Sequence, residues 1–150
     1  MDLWPGRSEL QEVAARVFIT NFFGARSRPK LTEAGITHVL VCAAELPFVF
    51  EESFRYKRLH LADNTTAMLP VAEARAFIRD ALAESPSNRV LVHCAAGSSR
   101  SGAICVAWIM SVHNLSAAEA LAQVQKIRPI IMPNPGFLEQ LERLKEEKEA

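Results

Sequence analysis

The segment "VLVHCAAGSSRSG", residues 90–102, joins a short run of strand-forming residues to a long apolar stretch. The valines and leucine before the histidine favour a buried β-strand, and the apolar residues that follow the segment favour a helix. A loop that contains cysteine, glycine, serine and arginine connects the two. In a strand–loop–helix arrangement, the N–H groups of the loop and of the helix start converge on one point and favour an anion there. The segment therefore predicts a phosphate-binding loop.

Cys94 begins this loop and is the candidate nucleophile. The pKa of a free thiol is about 8.5, whereas the pKa of a cysteine at a helix N-terminus can fall to roughly 3.5–7.5. Ser101 could donate a hydrogen bond to the sulfur, and His93 is expected to order the loop rather than to transfer protons. These residues predict a thiolate nucleophile that is activated by its own loop.

Arg100 lies six residues after the cysteine, from where its guanidinium can reach back over the loop. Its planar, fork-shaped set of donors matches two phosphate oxygens, which a lysine could not bind in the same way. Gly97 permits a backbone conformation that is closed to other residues, and Gly102 lets the helix begin close to its neighbours. The predicted phosphate-binding residues are Ala95, Ala96, Gly97, Ser98, Ser99 and Arg100.

Strand-like and helix-like segments alternate along the chain, which is typical of an α/β fold with a central, mostly parallel, twisted sheet flanked by helices. The helix predicted over 101–113 is apolar nearly all round and is therefore expected at the centre of the domain. A chain of 150 residues matches a single domain, 1–150, with about 1–14 and 146–150 at its periphery. The other predicted strands are 16–23, 36–44, 55–63 (near an edge) and 89–94; the other predicted helices are 27–35, 68–84, 116–127 and 135–147.

The charge and hydropathy of the chain argue against several kinds of partner. The formal net charge is zero and the pI is about 6.9, so no broad field draws the protein to nucleic acid or to an anionic membrane. The first residues lack a signal-peptide pattern, and no apolar run approaches the ~20 residues of a membrane span. We expect a soluble, intracellular protein of the cytoplasm, with the nucleus as a second compartment.

The three cysteines are too few for a disulfide framework or for a zinc site with paired ligands. Cys42 and Cys105 each lie in a strongly apolar run and are expected in the core. This cysteine content fits a reducing compartment. Neither a metal nor a cofactor is expected.

The segment "HCAAGSSRS", residues 93–101, resembles the signature of the dual-specificity branch of the cysteine-dependent protein tyrosine phosphatases. The usual form of that signature is His-Cys-x-Ala-Gly-x-Ser-Arg-Ser, and Ser98 here replaces a more usual small apolar residue. The resemblance implies a protein tyrosine phosphatase-like fold, a shallow pocket, no metal, and phosphorylated proteins as substrates. Further segments follow in the order and spacing of a small, single-domain, atypical dual-specificity phosphatase: "FFGA", "LTEAGITHVLVCAAE", "RLHLAD" and "ALAQVQKIRPIIMPNPGFLEQLERL".

The resemblance also implies a general acid that protonates the leaving oxygen. Of the three aspartates, Asp80 falls in a predicted helix and Asp2 at the terminus, whereas Asp63 opens a loop where the family carries its acid. The alternative role of Asp63 is a helix cap for the next segment. Asn134 matches a family asparagine that supports the catalytic loop, or it simply makes a turn between two prolines. Relatives often carry an aromatic pair after the acid, but residues 64–76 contain no aromatic residue.

These features predict a metal-independent phosphatase that hydrolyses phosphotyrosine, phosphoserine or phosphothreonine in proteins through a phosphocysteine intermediate. The variable loop positions are small and uncharged, which favours protein substrates over inositol lipids. One alternative is a phosphate-binding or scaffolding protein with little turnover, and another is sulfur transfer as in rhodaneses. No nucleic-acid or membrane partner is expected; the sequence does not determine the oligomeric state, although a monomer is favoured.

Overall fold

A five-stranded sheet forms the centre of the computed structural model, which describes residues 6–149 and, from residue 145 onward, the backbone alone. The strand order is β1-β2-β5-β3-β4, in which β1 is antiparallel to β2 and the other neighbours are parallel. The predicted class, a mostly parallel sheet flanked by helices, is confirmed. The strands are β1 (Gln11–Ala14), β2 (Val17–Thr20), β3 (His38–Val41), β4 (Arg55–Arg58) and β5 (Val90–His93).

Helices cover both faces of this sheet. Side chains alternate along a strand, so each central strand contributes to two cores. In the described part of the chain the helices are α1 (Phe22–Ala25), α2 (Arg28–Glu33), α3 (Val71–Glu84), α4 (Arg100–His113), α5 (Ala117–Ile127) and α6 (Pro135–Glu149). Leu40 and Val92 lie in the core formed with α3 to α6, whereas Val39 and Leu91 lie in the core formed with α1 and α2.

Helix α4 is the buried central helix that the sequence predicts, and ten of its 14 residues are buried. It ends at Asn114, which adopts the left-handed conformation (φ 52°) and donates its N–H to the carbonyl of Met110. Within residues 6–149, no single helix has the length and hydropathy of a membrane span; α4 and α5 reach them only as a pair bent by 115°. The packing of α4 positions the end of the loop that connects it to β5.

The amino-terminal region contains a strand that the sequence does not predict. Residues 1–14 are expected at the periphery from their sequence; Gln11–Ala14 form strand β1 at the edge of the sheet, and Val13 of this strand is buried in the core. A four-residue strand carries too little alternation to be recognised by pattern, and it is stabilised here by pairing with β2. Residues 1–5 lie outside the described residues, as do the side chains of 146–150.

Residues 16–23 also contain less strand than predicted, because β2 ends at Thr20 and Phe22–Ala25 form α1. The side chain of Asn21 caps this short helix by accepting a hydrogen bond from the N–H of Gly24 at 2.9 Å. A Cβ on Gly24 would lie 2.0 Å from Oγ1 of Thr20, so the close packing requires glycine. Capping and packing thus outweigh the strand propensity of the two phenylalanines.

Strand β4 lies at the edge of the sheet, as predicted, although it is shorter than the predicted 55–63. Two of its basic side chains form ion pairs with α3. Arg55 contacts Glu84 at 3.0 Å and Lys57 contacts Glu73 at 2.8 Å. The charges of this exposed edge are therefore largely balanced within the domain.

Candidate active site

The phosphate loop, residues 94–100, connects the carboxyl end of the central strand β5 to the first turn of α4. Cys94 opens this loop and its side chain is almost completely buried, with 2% exposure. Its Sγ lies 3.1 Å from the Oγ of Ser101, which is also buried. From this position the hydroxyl of Ser101 can donate a hydrogen bond to the sulfur.

Three carbonyl groups of the phosphate loop are bound by donors outside the loop. In a planar trans peptide, the C=O of one residue and the N–H of the next residue point in opposite directions. When an outside donor binds a loop carbonyl, the N–H of the following residue therefore points away from that donor. The N–H groups of residues 96, 98 and 99 are thereby directed towards the opposite side, the arrangement by which a backbone loop binds an anion. The contacts are Phe22 N–H to Ala95 O (3.0 Å), Met132 N–H to Ser98 O (3.3 Å) and Arg128 Nε–H to Gly97 O (2.9 Å).

Both glycines of the segment lie where a side chain would collide with its surroundings. Gly97 has φ of 68°, and a Cβ there would lie 2.6 Å from Nη2 of Arg128 and 2.8 Å from the carbonyl oxygen of Thr20. A Cβ on Gly102 would lie 2.9 Å from Cγ2 of Ile131. The loop and the helix start are therefore packed closely against the neighbouring segments.

Arg100 is buried beside the loop and is held by a carboxylate that the sequence analysis did not identify. Its Nη1 donates to Oε1 of Glu45 at 2.8 Å and to the carbonyl of Leu61 at 3.3 Å. This hydrogen bond lowers the pKa of Glu45. Burial alone would lower the pKa of Arg100, but its hydrogen bond to Glu45 and the nearby Cys94 and Asp63 raise the pKa overall. Nε and Nη2 of Arg100 have no hydrogen-bond partner among the described residues, so they are available to an anion.

Asp63 lies directly beside the phosphate loop. Its Oδ1 accepts a hydrogen bond from the hydroxyl of Ser99 at 2.7 Å and another from Nδ2 of Asn134 at 3.1 Å. The next helix begins only at Val71, with Pro70 before it, so Asp63 does not cap a helix. The structure therefore brings the predicted acid together with the loop, and the capping alternative is not observed.

Asn134 combines structural support for the acid with a local capping role. Besides its contact with Asp63, its Nδ2 donates to the carbonyl of Asn64 at 3.0 Å. Its Oδ1 accepts from the N–H of Phe137 at 3.0 Å in the first turn of α6, and its own N–H donates to Oγ of Ser99 at 3.0 Å. One asparagine thus links α6, the phosphate loop and the loop of the acid.

Polar contacts hold residues 63–67, here called the acid loop because it begins with the predicted acid, Asp63. Oδ1 of Asn64 accepts hydrogen bonds from the N–H groups of residues 66 and 67. Gln140 of α6 donates to the carbonyl of Ala67 at 2.9 Å and accepts from the N–H of Leu69 at 2.8 Å. A Cβ on Gly136 would lie 2.1 Å from the carbonyl oxygen of Thr65, so α6 contacts this loop directly.

Three side chains that support the site were not predicted: Glu45, Arg128 and Gln140. Each lies far along the chain from the residues it contacts, and only the folded chain brings them together. The sequence contains only a weak signal that these residues support the site. Glu45 follows the buried segment of β3, and Arg128 lies between an amphipathic helix and a proline-rich link.

His93 and the remaining cysteines are buried around Cys94. Burial lowers the pKa of His93 to about 4, and its Nδ1 lies 3.4 Å from the carbonyl of Cys94. The imidazole is therefore neutral near pH 7 and contacts the loop backbone. Burial raises the pKa of Cys42 and raises the pKa of Cys105 to about 12, so both thiols stay protonated in the core, where the sequence predicts them.

Comparisons with known proteins agree with this geometry. Residues 17–147 match the family model "Dual specificity phosphatase, catalytic domain". The chain is 35% identical over 142 residues to Dual specificity protein phosphatase 18 of Rattus norvegicus, covering 91% of this chain and 67% of that protein. It is 38% identical over 138 residues to Protein phosphatase Slingshot homolog 3 of the same species, covering 88% of this chain but only 21% of that protein.

A solved structure shows the same fold over nearly the whole chain. The human tyrosine phosphatase-like serine/threonine/tyrosine-interacting protein is 33% identical, with a TM-score of 0.88 over 96% of this chain and 100% of that chain. The family match, the shared fold and the Cys94–Arg100 loop agree with one another. The chain therefore belongs to the dual-specificity phosphatases and carries the catalytic domain of a small, atypical protein phosphatase of that family.

Proposed function

We propose that this domain hydrolyses phosphotyrosine, phosphoserine or phosphothreonine in proteins by a two-step, metal-independent reaction through a phosphocysteine intermediate. The observation that carries the proposal is the position of Asp63, whose carboxylate is hydrogen-bonded to Ser99 of the loop that begins with Cys94. A nucleophile, an anion-binding loop and an acid thus occupy one site.

In the first step, the thiolate of Cys94 attacks phosphorus and forms the S–P bond while the P–O bond to the substrate breaks. Asp63 donates its proton to the departing oxygen, which leaves as a neutral alcohol or phenol. The N–H groups of the phosphate loop and the free donors of Arg100 bind the equatorial oxygens, where charge is held during transfer. Glu45 keeps Nη1 of the guanidinium in place and so orients Nε and Nη2.

In the second step, water attacks phosphorus and the S–P bond breaks. Asp63, now ionised, accepts a proton from this water, and the products are phosphate and the free enzyme. The sulfur leaves as a thiolate. The hydroxyl of Ser101, 3.1 Å from Sγ, can stabilise that charge by a hydrogen bond.

Phosphoproteins are the favoured substrates because the accessible loop positions carry no extra positive charge. Ala95 and Ala96 are exposed, and Ser98 and Ser99 are partly exposed. A highly charged inositol phosphate would find no lysine or arginine side chain at these positions to bind its additional phosphates. We also propose that the protein acts in the cytoplasm or nucleus, because its three cysteines are free and its nucleophile must stay reduced.

A phosphate-binding or scaffolding protein with little turnover is the second candidate. The similarity to a solved protein whose name describes it as phosphatase-like and interacting favours this alternative. Such a protein would bind a phosphopeptide at the loop without releasing phosphate. The presence of Cys94, Arg100 and Asp63 in one site favours catalysis.

The decisive test is phosphate release by the wild-type protein and by Cys94→Ser, with reductant and a metal chelator present. Substrates are an aryl phosphate and peptides that carry phosphotyrosine, phosphoserine or phosphothreonine. We expect turnover by the wild type and background release by Cys94→Ser, because the serine hydroxyl is a far weaker nucleophile than a thiolate. The ranking of the peptides identifies the preferred phosphoresidue.

Cys105→Ala is the matched control, since it removes a buried thiol from α4 without changing the phosphate loop. It should retain turnover. Equal phosphate release by the wild type and Cys94→Ser would refute the phosphocysteine mechanism. Phosphopeptide binding without any turnover by the wild type would establish the binding protein instead.

A further inference from the structure

Arg128 is a buried cation that the reaction described above does not use. It follows α5 directly, and its side chain is 1% exposed, which makes it one of the largest fully buried side chains of the described residues. Burying a guanidinium is costly unless its donors are satisfied, because the charge loses its hydration. The surroundings of Arg128 therefore need a physical explanation.

All three donor groups of the guanidinium bind neutral oxygens. Nε donates to the carbonyl of Gly97 at 2.9 Å, Nη1 to Oε1 of Gln11 at 2.6 Å, and Nη2 to the carbonyl of Arg7 at 2.7 Å. No carboxylate among the described side chains forms an ion pair with Arg128. Its positive charge is therefore hydrogen-bonded but not neutralised by the described part of the domain.

The uncompensated charge lies against the back of the phosphate loop. A Cβ on Gly97 would approach Nη2 of Arg128 to 2.6 Å, so the loop backbone and the guanidinium are in close contact. Burial lowers the pKa of Arg128, and the nearby positive charge of Arg7 acts in the same direction, whereas a thiolate at Cys94 acts in the opposite direction. An anion bound in the loop would provide the negative charge that the guanidinium lacks.

The contact with Gly97 also controls the orientation of one peptide group. Because Nε of Arg128 binds the Gly97 carbonyl, the N–H of Ser98 points away from Arg128 and towards the concave side of the loop. The left-handed conformation of Gly97 (φ 68°) is held in the same contact. Without this donor, the carbonyl dipole could turn inwards and oppose an anion.

We propose that Arg128 is a positioning residue of the phosphate site. It fixes the Gly97–Ser98 peptide with its N–H towards the anion and places a buried positive charge behind the loop. Arg128 does not touch the substrate, because the loop lies between them. This inference builds on the proposed function, but its central claim concerns the binding of inorganic phosphate and does not require turnover.

The test measures the affinity for inorganic phosphate by calorimetry in the Cys94→Ser protein, with and without a change at Arg128. Arg128→Gln removes the charge, whereas Arg128→Lys keeps it but loses the three-way hydrogen bonding. We expect Arg128→Gln to weaken phosphate binding about tenfold or more, the effect of losing one hydrogen bond to a charged group, here the bond from the Ser98 N–H, with Arg128→Lys in between. In the protein that retains Cys94, KM should rise by more than kcat falls.

Arg16→Gln is the matched control. The guanidinium of Arg16 also binds three carbonyl groups, those of Leu82, Ser85 and Asn88, and none of them belongs to the phosphate loop. Its replacement should lower the midpoint of thermal unfolding and leave phosphate affinity at the wild-type value. An equal loss of affinity in the Arg16 and Arg128 variants would overturn the proposal, because general loosening would then explain both.

Wild-type phosphate affinity in a folded Arg128→Gln or Arg128→Lys protein would also overturn it. If neither Arg128 variant folds while Arg16→Gln does, Arg128 is a structural residue and the proposal fails. A wild-type protein that binds phosphate through Arg128 but releases none from substrates would disprove the phosphatase activity and leave this inference standing. The two proposals can therefore fail separately.

Discussion

At the scale of single residues, the hydroxyl of Ser99 connects the phosphate loop to the acid. It donates to Oδ1 of Asp63 and accepts from the N–H of Asn134, so both of its hydrogen-bonding directions are determined. Oδ1 also accepts from Nδ2 of Asn134 and is thus occupied by two donors. In the proposed mechanism, Oδ2 is therefore the oxygen that carries the proton transferred by Asp63, because Oδ1 is already occupied by two donors.

Replacement of Asp63 by Asn tests this assignment through the leaving group. The amide keeps an oxygen for the two hydrogen bonds but has no acidic proton to transfer. We expect kcat/KM to fall about 10²- to 10³-fold for a phosphoserine peptide, whose alkoxide leaves poorly. The loss should be much smaller for an aryl phosphate with an acidic phenol. The measurement is kcat/KM across a series of phosphate esters with leaving groups of different pKa.

Asp80→Asn serves as the control, because Asp80 is an exposed residue of α3 that is ion-paired with Arg79. This variant should match the wild type for every ester. A uniform loss across the ester series in Asp63→Asn would contradict general-acid catalysis and would indicate a role in substrate binding.

At the scale of secondary-structure elements, α6 determines where the acid is held. Its first turn approaches the carbonyl of Thr65 so closely that Gly136 cannot carry a side chain. One turn later, Gln140 binds the carbonyl of Ala67 and the N–H of Leu69. These contacts are polar, and segment 64–76 contains no aromatic residue. Helix α6 thus supports the acid loop through these contacts.

Gln140→Ala should loosen the acid loop without changing any group proposed to contact the substrate. We expect kcat/KM for a phosphoserine peptide to fall about tenfold, because small displacements of a catalytic group are costly. Affinity for inorganic phosphate should stay unchanged, since the phosphate loop keeps its own contacts. Steady-state kinetics and phosphate titration check the two expectations.

The neighbouring Glu139→Ala is the matched control, because Glu139 is an exposed residue of the same helix that pairs with Arg143. It should leave both quantities at the wild-type level. Loss of phosphate affinity in Gln140→Ala would mean that α6 supports the phosphate loop itself rather than the acid alone.

At the scale of the whole molecule, burial of the sheet on both faces couples stability to pH through His93. This histidine is the last residue of the central strand; it is 1% exposed, and its ring stacks on Phe22 of α1 with 6.5 Å between ring centroids. Burial lowers its pKa to about 4 in the folded protein, against an ordinary value near 6.5. The unfolded chain therefore binds a proton at a higher pH than the folded chain does.

The contribution of His93 to the free energy of unfolding should accordingly be fully present above about pH 6.5, and it should be lost as the pH drops towards 4. The pKa difference corresponds to about 3 kcal/mol in total, of which about 2 kcal/mol is lost by pH 5. Burial lowers the pKa of His38 as well, which contributes in the same direction. The measurement is urea unfolding of the wild type and of His93→Gln at pH 7.5 and at pH 5. The difference between the two proteins in the free energy of unfolding lost between these pH values gives the contribution of His93.

A variant at the exposed His60, His60→Gln, provides the control and should lose as much stability as the wild type over this range. An unchanged pH dependence in His93→Gln would show that the imidazole is already protonated or solvated in the folded state.

Local pattern predicted the elements whose signal lies in consecutive residues. The central strand β5, the apolar helix α4 and the helices α2 and α5 can each be recognised within one window of sequence. Strand β1 and helix α1 were missed, because each has four residues and is stabilised by pairing or capping rather than by its own periodicity. The edge position of β4 was predicted from the alternation of polar and apolar residues along 55–63.

The sequence by itself determined the family signature, since Cys94, Arg100 and the glycines lie within one short segment whose spacing is independent of the rest of the chain. Only the tertiary structure decided which distant groups complete the site. The hydrogen bonds from Arg100 to Glu45, from Gln140 to the carbonyl of Ala67 and from Arg128 to the carbonyl of Gly97 each join segments far apart in the chain. Such contacts depend on how helices and strands pack, and packing is a property of the folded chain as a whole.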